Sequence, residues 1–308
     1  MSGIKKRALI RGLITGDEIY LQGILFKGIG GFYYVKADNG LTYECKARGI
    51  FRKENIKPTI GDRVVIEIID DTHANIVSIM ERSSYLIRPS VSNVDSLVVV
   101  VSVKNPVPDF CFIDKLLVMS EIRGIKPALC INKTDLISPD EIKNNYKNTN
   151  YPIFEVCAKN EKINEDFYDF LKDKTTAFAG LSGVGKSSIL NLLVKKELKI
   201  GTVSDKIQRG KHTTRHVELF ELDFGGYVLD TPGFSSFEAE TINPKDLDKY
   251  FPEMQKFLNH CRFNGCAHIN EPDCKVKDAL ENDEISQSRY ESYKKIYESL
   301  KQINKWEL

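Results

Sequence analysis

The 308-residue chain has no apolar run approaching the ~18 residues that a membrane span needs, and its opening residues, MSGIKKRALIRG, lack the apolar h-region of a secretory signal. No membrane partner is expected. Its seven cysteines show no regular pairing, which argues against an oxidised disulfide scaffold and for a cytoplasmic location. An excess of either charge is also missing: 44 Lys and Arg stand against 43 Asp and Glu, a formal net charge of +1. Overall charge therefore gives no reason to expect nucleic acid, and any such reason must be local. There is no internal repeat and no low-complexity tract. The length suits two or three domains, each with room for a core.

What the chain does have is residues 180–187, GLSGVGKS, which fit the phosphate-loop pattern G-x-x-x-x-G-K-[ST]. Gly180, Gly183 and Gly185 let successive backbone N–H groups turn inward around a β-phosphate. The apolar run 175–179 before them reads as a strand, and Ile189, Leu190, Leu192 and Leu193 after them have helical spacing. In this setting Lys186 would reach the β- and γ-phosphates and Ser187 would bind Mg²⁺. The loop alone does not distinguish ATP from GTP.

The base is read elsewhere. Residues 126–131 form an apolar strand ending at Asn132, Lys133, Thr134 and Asp135, so this tetrapeptide sits at a strand's carboxyl end, where open α/β sheets bind ligands. Asp135 can accept from guanine N1–H and N2–H₂ together, a pairing adenine does not offer. Asn132 would support the loop and the base edge, and Lys133 would lay its stem along the purine face. Without the phosphate loop the same four residues could be a helix cap. After a strand at 152–156, Cys157-Ala158-Lys159 would place the Ala158 N–H against guanine O6.

Asp230-Thr231-Pro232-Gly233 follows a strand at 226–229. There Asp230 would hold Mg²⁺ through water and the Gly233 N–H would sense the γ-phosphate, a plain hairpin turn being the alternative. Between loop and strand, residues 210–215 read GKHTTR, with Thr214, or else Thr213, as the second hydroxyl on Mg²⁺. Both base-reading segments precede the phosphate loop, so the site is assembled in permuted order.

Short strands are expected at 18–26, 31–37, 41–46, 63–68 and 75–79. Turns fall at 28–30, 38–40 and 60–62, and five strands at this spacing suggest a small barrel, with the OB-fold preferred. Lys46, Arg48, Arg52 and Lys53 lie near Phe51, with Phe32, Tyr33, Tyr34 and Tyr43 on the strands. Two readings stand here, an RNA surface or core aromatics beside a solvated basic loop. A linker at 81–95 carries Arg88-Pro89. A strand at 97–103 and a helix at 112–123 then open the α/β module.

Cys261, Cys266, His268 and Cys274, spaced C-x₄-C-x-H-x₅-C, make a closed tetrahedral set for one structural Zn²⁺, with no position left for a water nucleophile. A terminal amphipathic helix is expected at 294–303.

The order of barrel, NKTD, CAK, GLSGVGKS, GKHTTR, DTPG and C-x₄-C-x-H-x₅-C resembles the circularly permuted, small-ribosomal-subunit-dependent GTPases of the RsgA family, over nearly the whole chain. The resemblance implies an N-terminal all-β OB-fold barrel, a central circularly permuted α/β P-loop GTPase domain and a C-terminal, mostly helical zinc-binding domain, at residues 1–82, 83–236 and 237–308. It implies a ribosome-stimulated GTPase acting late in small-subunit maturation, whose partners are the subunit and its rRNA; separately, a monomer is expected. By the same resemblance Asn132 to Asp135 and Gly180, Leu181, Ser182, Gly183, Val184, Gly185, Lys186, Ser187 and Ser188 bind GTP or GDP with Mg²⁺. His212 becomes the candidate to orient the attacking water, because Phe234 follows the DTPG glycine where Ras-type sites place a glutamine. One departure is Arg215, where the family commonly continues with a third threonine. The competing readings are an RNA-binding assembly module in which hydrolysis is incidental, and a P-loop ATPase or kinase.

Overall fold

A computed structural model describes residues 14–15, 18–49, 51, 56–87, 89–194, 217–230 and 242–304. The expectations at Arg52, Lys53, His212, Thr213, Thr214 and Gly233 lie outside the described residues. The chain packs as two compact units, Met1–Asn93 with His216–Leu219, and Val94–Arg215 with Phe220–Leu308.

In the first unit β1 (Ile14–Thr15) lies against β2 (Glu18–Ile29), and β3 (Phe32–Ala37), β4 (Thr42–Ala47), β5 (Arg63–Ile68) and β6 (His73–Ile79) follow. Five of them close a ring, β2-β3-β4-β6-β5 and back to β2, in which only β4 and β6 run parallel. The length of β2 makes closure possible. It pairs with β5 through residues 20–24 and with β3 through residues 23–29, and a bulge between Leu25 and Lys27 bends it from one partner to the next. Gly23 lies where the two pairings overlap, and a Cβ there would stand 2.5 Å from the Lys36 carbonyl oxygen. Period-two burial fills the interior with Val35 and Ala37, Tyr43 and Cys45, Val64 and Ile66, and Ala74 and Ile76. This is the OB-fold barrel.

Two of the aromatics weighed as RNA contacts, Tyr43 and Phe51, belong to this core. Phe32, Tyr33 and Tyr34 are half-buried, and the Lys46 ammonium lies 5.2 Å from the centre of the Phe32 ring. Residues 81–95 are not a free linker. They carry the hairpin β7 (Tyr85–Leu86) and β8 (Val91–Ser92), fastened to the barrel through buried Asp62. Its carboxylate accepts from Arg82 at 2.7 and 2.9 Å and from the Ser92 hydroxyl at 2.6 Å. Donors aimed at one buried carboxylate hold the segment, and no short-range pattern announces them.

The second unit is built on a seven-stranded sheet in the order β12-β11-β10-β9-β13-β15-β14. In chain order its elements are β9 (Ser96–Ser102), α1 (Phe110–Ile122), β10 (Lys126–Asn132), α2 (Asp140–Tyr146), β11 (Ile153–Cys157), β12 (Lys162–Ile163), α3 (Glu165–Leu171), β13 (Thr175–Ala179), α4 (Lys186–Leu193), β14 (Phe220–Glu221) and β15 (Tyr227–Asp230). The middle five strands are parallel, and β9, buried along its whole length, reads SLVVVVS, as a strand covered on both faces must. Asp109 caps α1 by accepting from the Phe112 N–H at 3.0 Å. From β9 the chain winds outward through β10 and β11, then returns to place β13 on the other side of β9. That reversal makes the β9/β13 boundary the switch point at which such sheets bind ligands.

The same unit contains α5 (Pro252–Gln255), α6 (Lys275–Glu281) and α7 (Gln287–Asn304), whose core of Leu247, Phe251, Met254, Val276, Tyr293 and Ile296 takes in Val118 of α1. The terminal helix begins at Gln287 rather than at 294. Its first turn holds Arg289, fully buried and paired with Glu253 at 2.7 Å and Asp114 at 2.6 Å. A charge that reads as surface in the sequence is here part of the core.

Candidate nucleotide site and metal centre

Every predicted nucleotide-binding residue that is described lies at the carboxyl ends of the parallel strands. Residues 180–187 turn from β13 into α4, with Gly180, Gly183 and Gly185 at φ of +148°, +82° and +98°. At two of these a side chain has no room. A Cβ on Gly180 would overlap the Val100 carbonyl oxygen, and one on Gly185 would overlap the Asn132 amide nitrogen. Val184 is buried and Leu181 half-buried against the sheet core, whereas Ser182 and Ser188 are exposed and Ser187 is half-buried in the first turn of α4.

Asn132, 2% exposed, joins three parts of the site. From the end of β10 its amide donates to the Val184 carbonyl at 2.9 Å, and its Oδ1 accepts from the Ala158 N–H at 3.1 Å. Phosphate loop, NKTD and CAK are thus tied through one side chain. Lys133 takes the left-handed conformation, φ +62°, which turns its ammonium toward the carbonyls of Gly183, at 2.7 Å, and of Asn105. The Asn105 contact had no signal in the sequence.

Lys186 donates to the Gly180 and Leu181 carbonyls at 2.8 and 3.3 Å. Burial lowers its pKa, and the negative charge of Asp230 at the end of β15 opposes the shift. Asp135 is ringed by the Cys157 thiol at 3.4 Å from Oδ1 and the Lys159 ammonium at 3.9 Å from Oδ2, and Thr134 donates to the Val156 carbonyl at 3.3 Å.

In the C-terminal helical part, one ligand atom from each of Cys261, Cys266, His268 and Cys274 lies within 4.8 Å of the others. A Zn–S bond of ~2.3 Å in a tetrahedron sets neighbouring sulfurs about 3.8 Å apart. The Cys261 and Cys274 sulfurs are 3.8 Å apart, and His268 Nδ1 lies 3.6 and 3.3 Å from them, so the set fits that ion. Two supporting groups were not legible in the sequence. Asp248 holds His268 Nε2 at 3.2 Å, which leaves Nδ1 as the ligand atom. Glu271 accepts from the Ala267, Ile269 and Asn270 N–H groups at 3.0 to 3.1 Å, closing the turn between ligands; burial raises its pKa, but these bonds outweigh it and the net shift is downward. Neither belongs to a spaced motif.

A phosphate loop, an NKTD tetrapeptide ahead of it in the chain and a parallel sheet in this order define a P-loop GTPase of permuted order. The RsgA GTPase family model matches residues 79–240, and that of the RsgA N-terminal domain matches residues 22–76. The chain is 47% identical over 287 residues to the small ribosomal subunit biogenesis GTPase RsgA of Ruminiclostridium cellulolyticum, covering 91% of this chain and 94% of that one. Its identity to the protein of the same name from Clostridium novyi is 43% over 292 residues, covering 93% and 100%. Among solved structures it resembles YjeQ from Thermotoga maritima, with a TM-score of 0.80 and 38% identity over 91% of this chain and 98% of that one. YloQ, described as a circularly permuted GTPase, gives 0.76 and 36% over 92% and 96%. The chain belongs to the RsgA GTPase family and is a GTP hydrolase.

Proposed function

We propose that this protein hydrolyses GTP to GDP and phosphate while docked on the small ribosomal subunit, late in that subunit's maturation. The observation that carries the nucleotide part is the position of Asn132, whose one amide group binds the phosphate loop and the Ala158 segment together. The ribosomal part is supported by the relatives' name, small ribosomal subunit biogenesis GTPase.

Asp135 reads guanine N1–H and N2–H₂, the Ala158 N–H meets O6, and Lys133 lies along the purine face. Gly180 to Ser188 wrap the phosphates, with Lys186 on the β- and γ-phosphate oxygens. Ser187 and Thr214, or Thr213 in its place, are assigned to Mg²⁺, with Asp230 acting through water. Bound there, Mg²⁺ would neutralise charge on the β- and γ-phosphate oxygens. Gly233 senses the γ-phosphate and His212 orients the attacking water, its imidazole being able to accept a hydrogen bond near neutral pH.

Zinc on Cys261, Cys266, His268 and Cys274 is structural. The functional parts are residues 1–82, 83–236 and 237–308, the first meeting rRNA in part through Lys46 and the half-buried Phe32 and Tyr33. Among the described residues no helix is long and apolar enough to cross a membrane. The protein acts in the cytoplasm as a monomer. The deciding experiment measures GTP turnover with and without purified small subunits. A rise of orders of magnitude supports the proposal. An unchanged rate leaves an RNA-binding module whose hydrolysis is incidental.

A further inference from the structure

In the ladder between β2 and β3, Leu25 stands opposite Val35 and Lys27 opposite Tyr34, so the bulge inserts Phe26 as the extra residue. Its carbonyl accepts from the Leu219 N–H at 2.9 Å. Beside it Lys27 and Glu218 form an antiparallel bridge, and their side chains meet as an ion pair at 3.2 Å, 26% and 21% exposed. Leu219 is buried. Residues 216–219 thus belong to the barrel's unit, although 191 positions separate Lys27 from Glu218. With Phe220 the chain enters β14, which pairs with β15, the strand ending at Asp230.

We propose that Lys27 of the barrel is a positioning residue for GTP: by holding Glu218 it fixes the far end of the 210–215 segment, from which Thr214 or Thr213 reaches Mg²⁺ in the triphosphate-bound protein. The inference rests on one of these threonines being the second Mg²⁺ hydroxyl. Thr214 precedes Glu218 by four positions, so even a fully extended chain keeps it within about 14 Å of that residue. If Glu218 comes free, the next paired residue is Phe220 in β14. The tether then lengthens, and Val217 to Leu219 must be ordered each time the triphosphate is bound, at a cost in backbone and loop-closure entropy. The diphosphate makes no such demand, because segments of this kind are ordered through the γ-phosphate and its Mg²⁺. A pair that only fastened the barrel's edge would affect both nucleotides alike. The barrel is therefore part of the device that distinguishes GTP from GDP, beyond any role as an RNA platform.

The probes are GDP and the non-hydrolysable triphosphate GMPPNP, each with Mg²⁺. Calorimetry of their binding to the full chain, to Lys27→Glu and to the charge swap Lys27→Glu with Glu218→Lys reads the proposal. Lys27→Glu should weaken GMPPNP by roughly 3-fold to 10-fold, between the worth of a partly exposed ion pair and the ordering of one further residue, while GDP affinity stays nearly unchanged. The swap should restore GMPPNP binding, since it rebuilds the pair with its charges exchanged. Should Lys27→Glu fail to fold, Glu218→Lys breaks the same pair from outside the five-stranded ring. Equal losses for GMPPNP and GDP, unchanged GMPPNP affinity, or no recovery in the swap overturn the proposal and leave the pair as a fastening of the barrel's edge. If Thr213→Ala with Thr214→Ala leaves the balance between GMPPNP and GDP unchanged, the Mg²⁺ assignment itself fails, an outcome seen without any Lys27 variant.

Discussion

At the residue scale, function rests on side chains whose chemistry has few substitutes. Asp135→Asn exchanges an acceptor-only group for an amide that can donate, so GTP affinity should fall and xanthosine triphosphate should bind better, since its carbonyl accepts from that amide. Competition between the two triphosphates checks this, and unchanged GTP affinity would remove Asp135 from the base. His212→Ala should leave nucleotide and subunit binding nearly intact while lowering subunit-stimulated turnover by roughly 10²-fold to 10⁴-fold, the worth of one positioned proton-transfer group. Full stimulation in that variant would pass the role to ribosomal RNA or to Thr213 or Thr214. The motif residues were legible because their backbone requirements are local: a loop needing three positive-φ glycines, and a tetrapeptide at a strand's end. Asp248 and Glu271 were not, because one supports His268 across twenty residues of sequence and the other acts on backbone N–H groups, which no side-chain pattern records.

At the scale of elements, the phosphate loop works as a shaped backbone and the cysteine cluster as a cross-link. A methyl group on Gly185 would need a left-handed L-residue and would displace the Asn132 amide, so Gly185→Ala should weaken GDP binding by about 10-fold or more. Equilibrium titration measures it. Near-normal affinity would show that Asn132 does not brace the loop. Cys266→Ala should lose about one zinc per chain by metal analysis and loosen residues 261–274 to amide exchange, because metal binding in such sites contributes folding free energy. Metal analysis that finds no zinc in the unaltered protein would make these cysteines plain thiols, and full zinc retained in Cys266→Ala would remove Cys266 from the ligand set. Most strands were legible from period-two burial in the barrel and continuous apolar runs in the sheet. The early start of α7 and the folded state of residues 81–95 were hidden, since each depends on a buried charge partner brought from a distant segment, Asp114 and Glu253 for one and Asp62 for the other.

At the scale of the whole molecule, the C-terminal helices are bound to the GTPase sheet through a charged core. Arg289 of α7 binds Asp114 of α1 and Glu253 of α5, Tyr146 of α2 donates to Asp114 at 2.8 Å, and the guanidinium lies 4.5 Å from the centre of the Phe251 ring. The elements bearing the zinc ligands are therefore packed into the same unit as the sheet that carries the nucleotide. Breaking a buried ion pair from one side leaves its partners uncompensated, so Arg289→Met should cost about 3–5 kcal/mol in chemical denaturation at pH 8. The sign of its pH dependence identifies the cause. Burial already raises the Asp114 pKa, against the pull of Arg289; without Arg289 it must rise further. A carboxyl whose folded pKa exceeds its unfolded value contributes stability below the unfolded pKa and loses it as pH rises through the folded one. The deficit of Arg289→Met should accordingly be full at pH 8 and shrink as pH falls toward 5 and Asp114 takes up a proton. The same deficit at both pH values would mean that the loss is one of packing volume, and that the charges at this junction are incidental to what holds the zinc-bearing helices to the GTPase sheet.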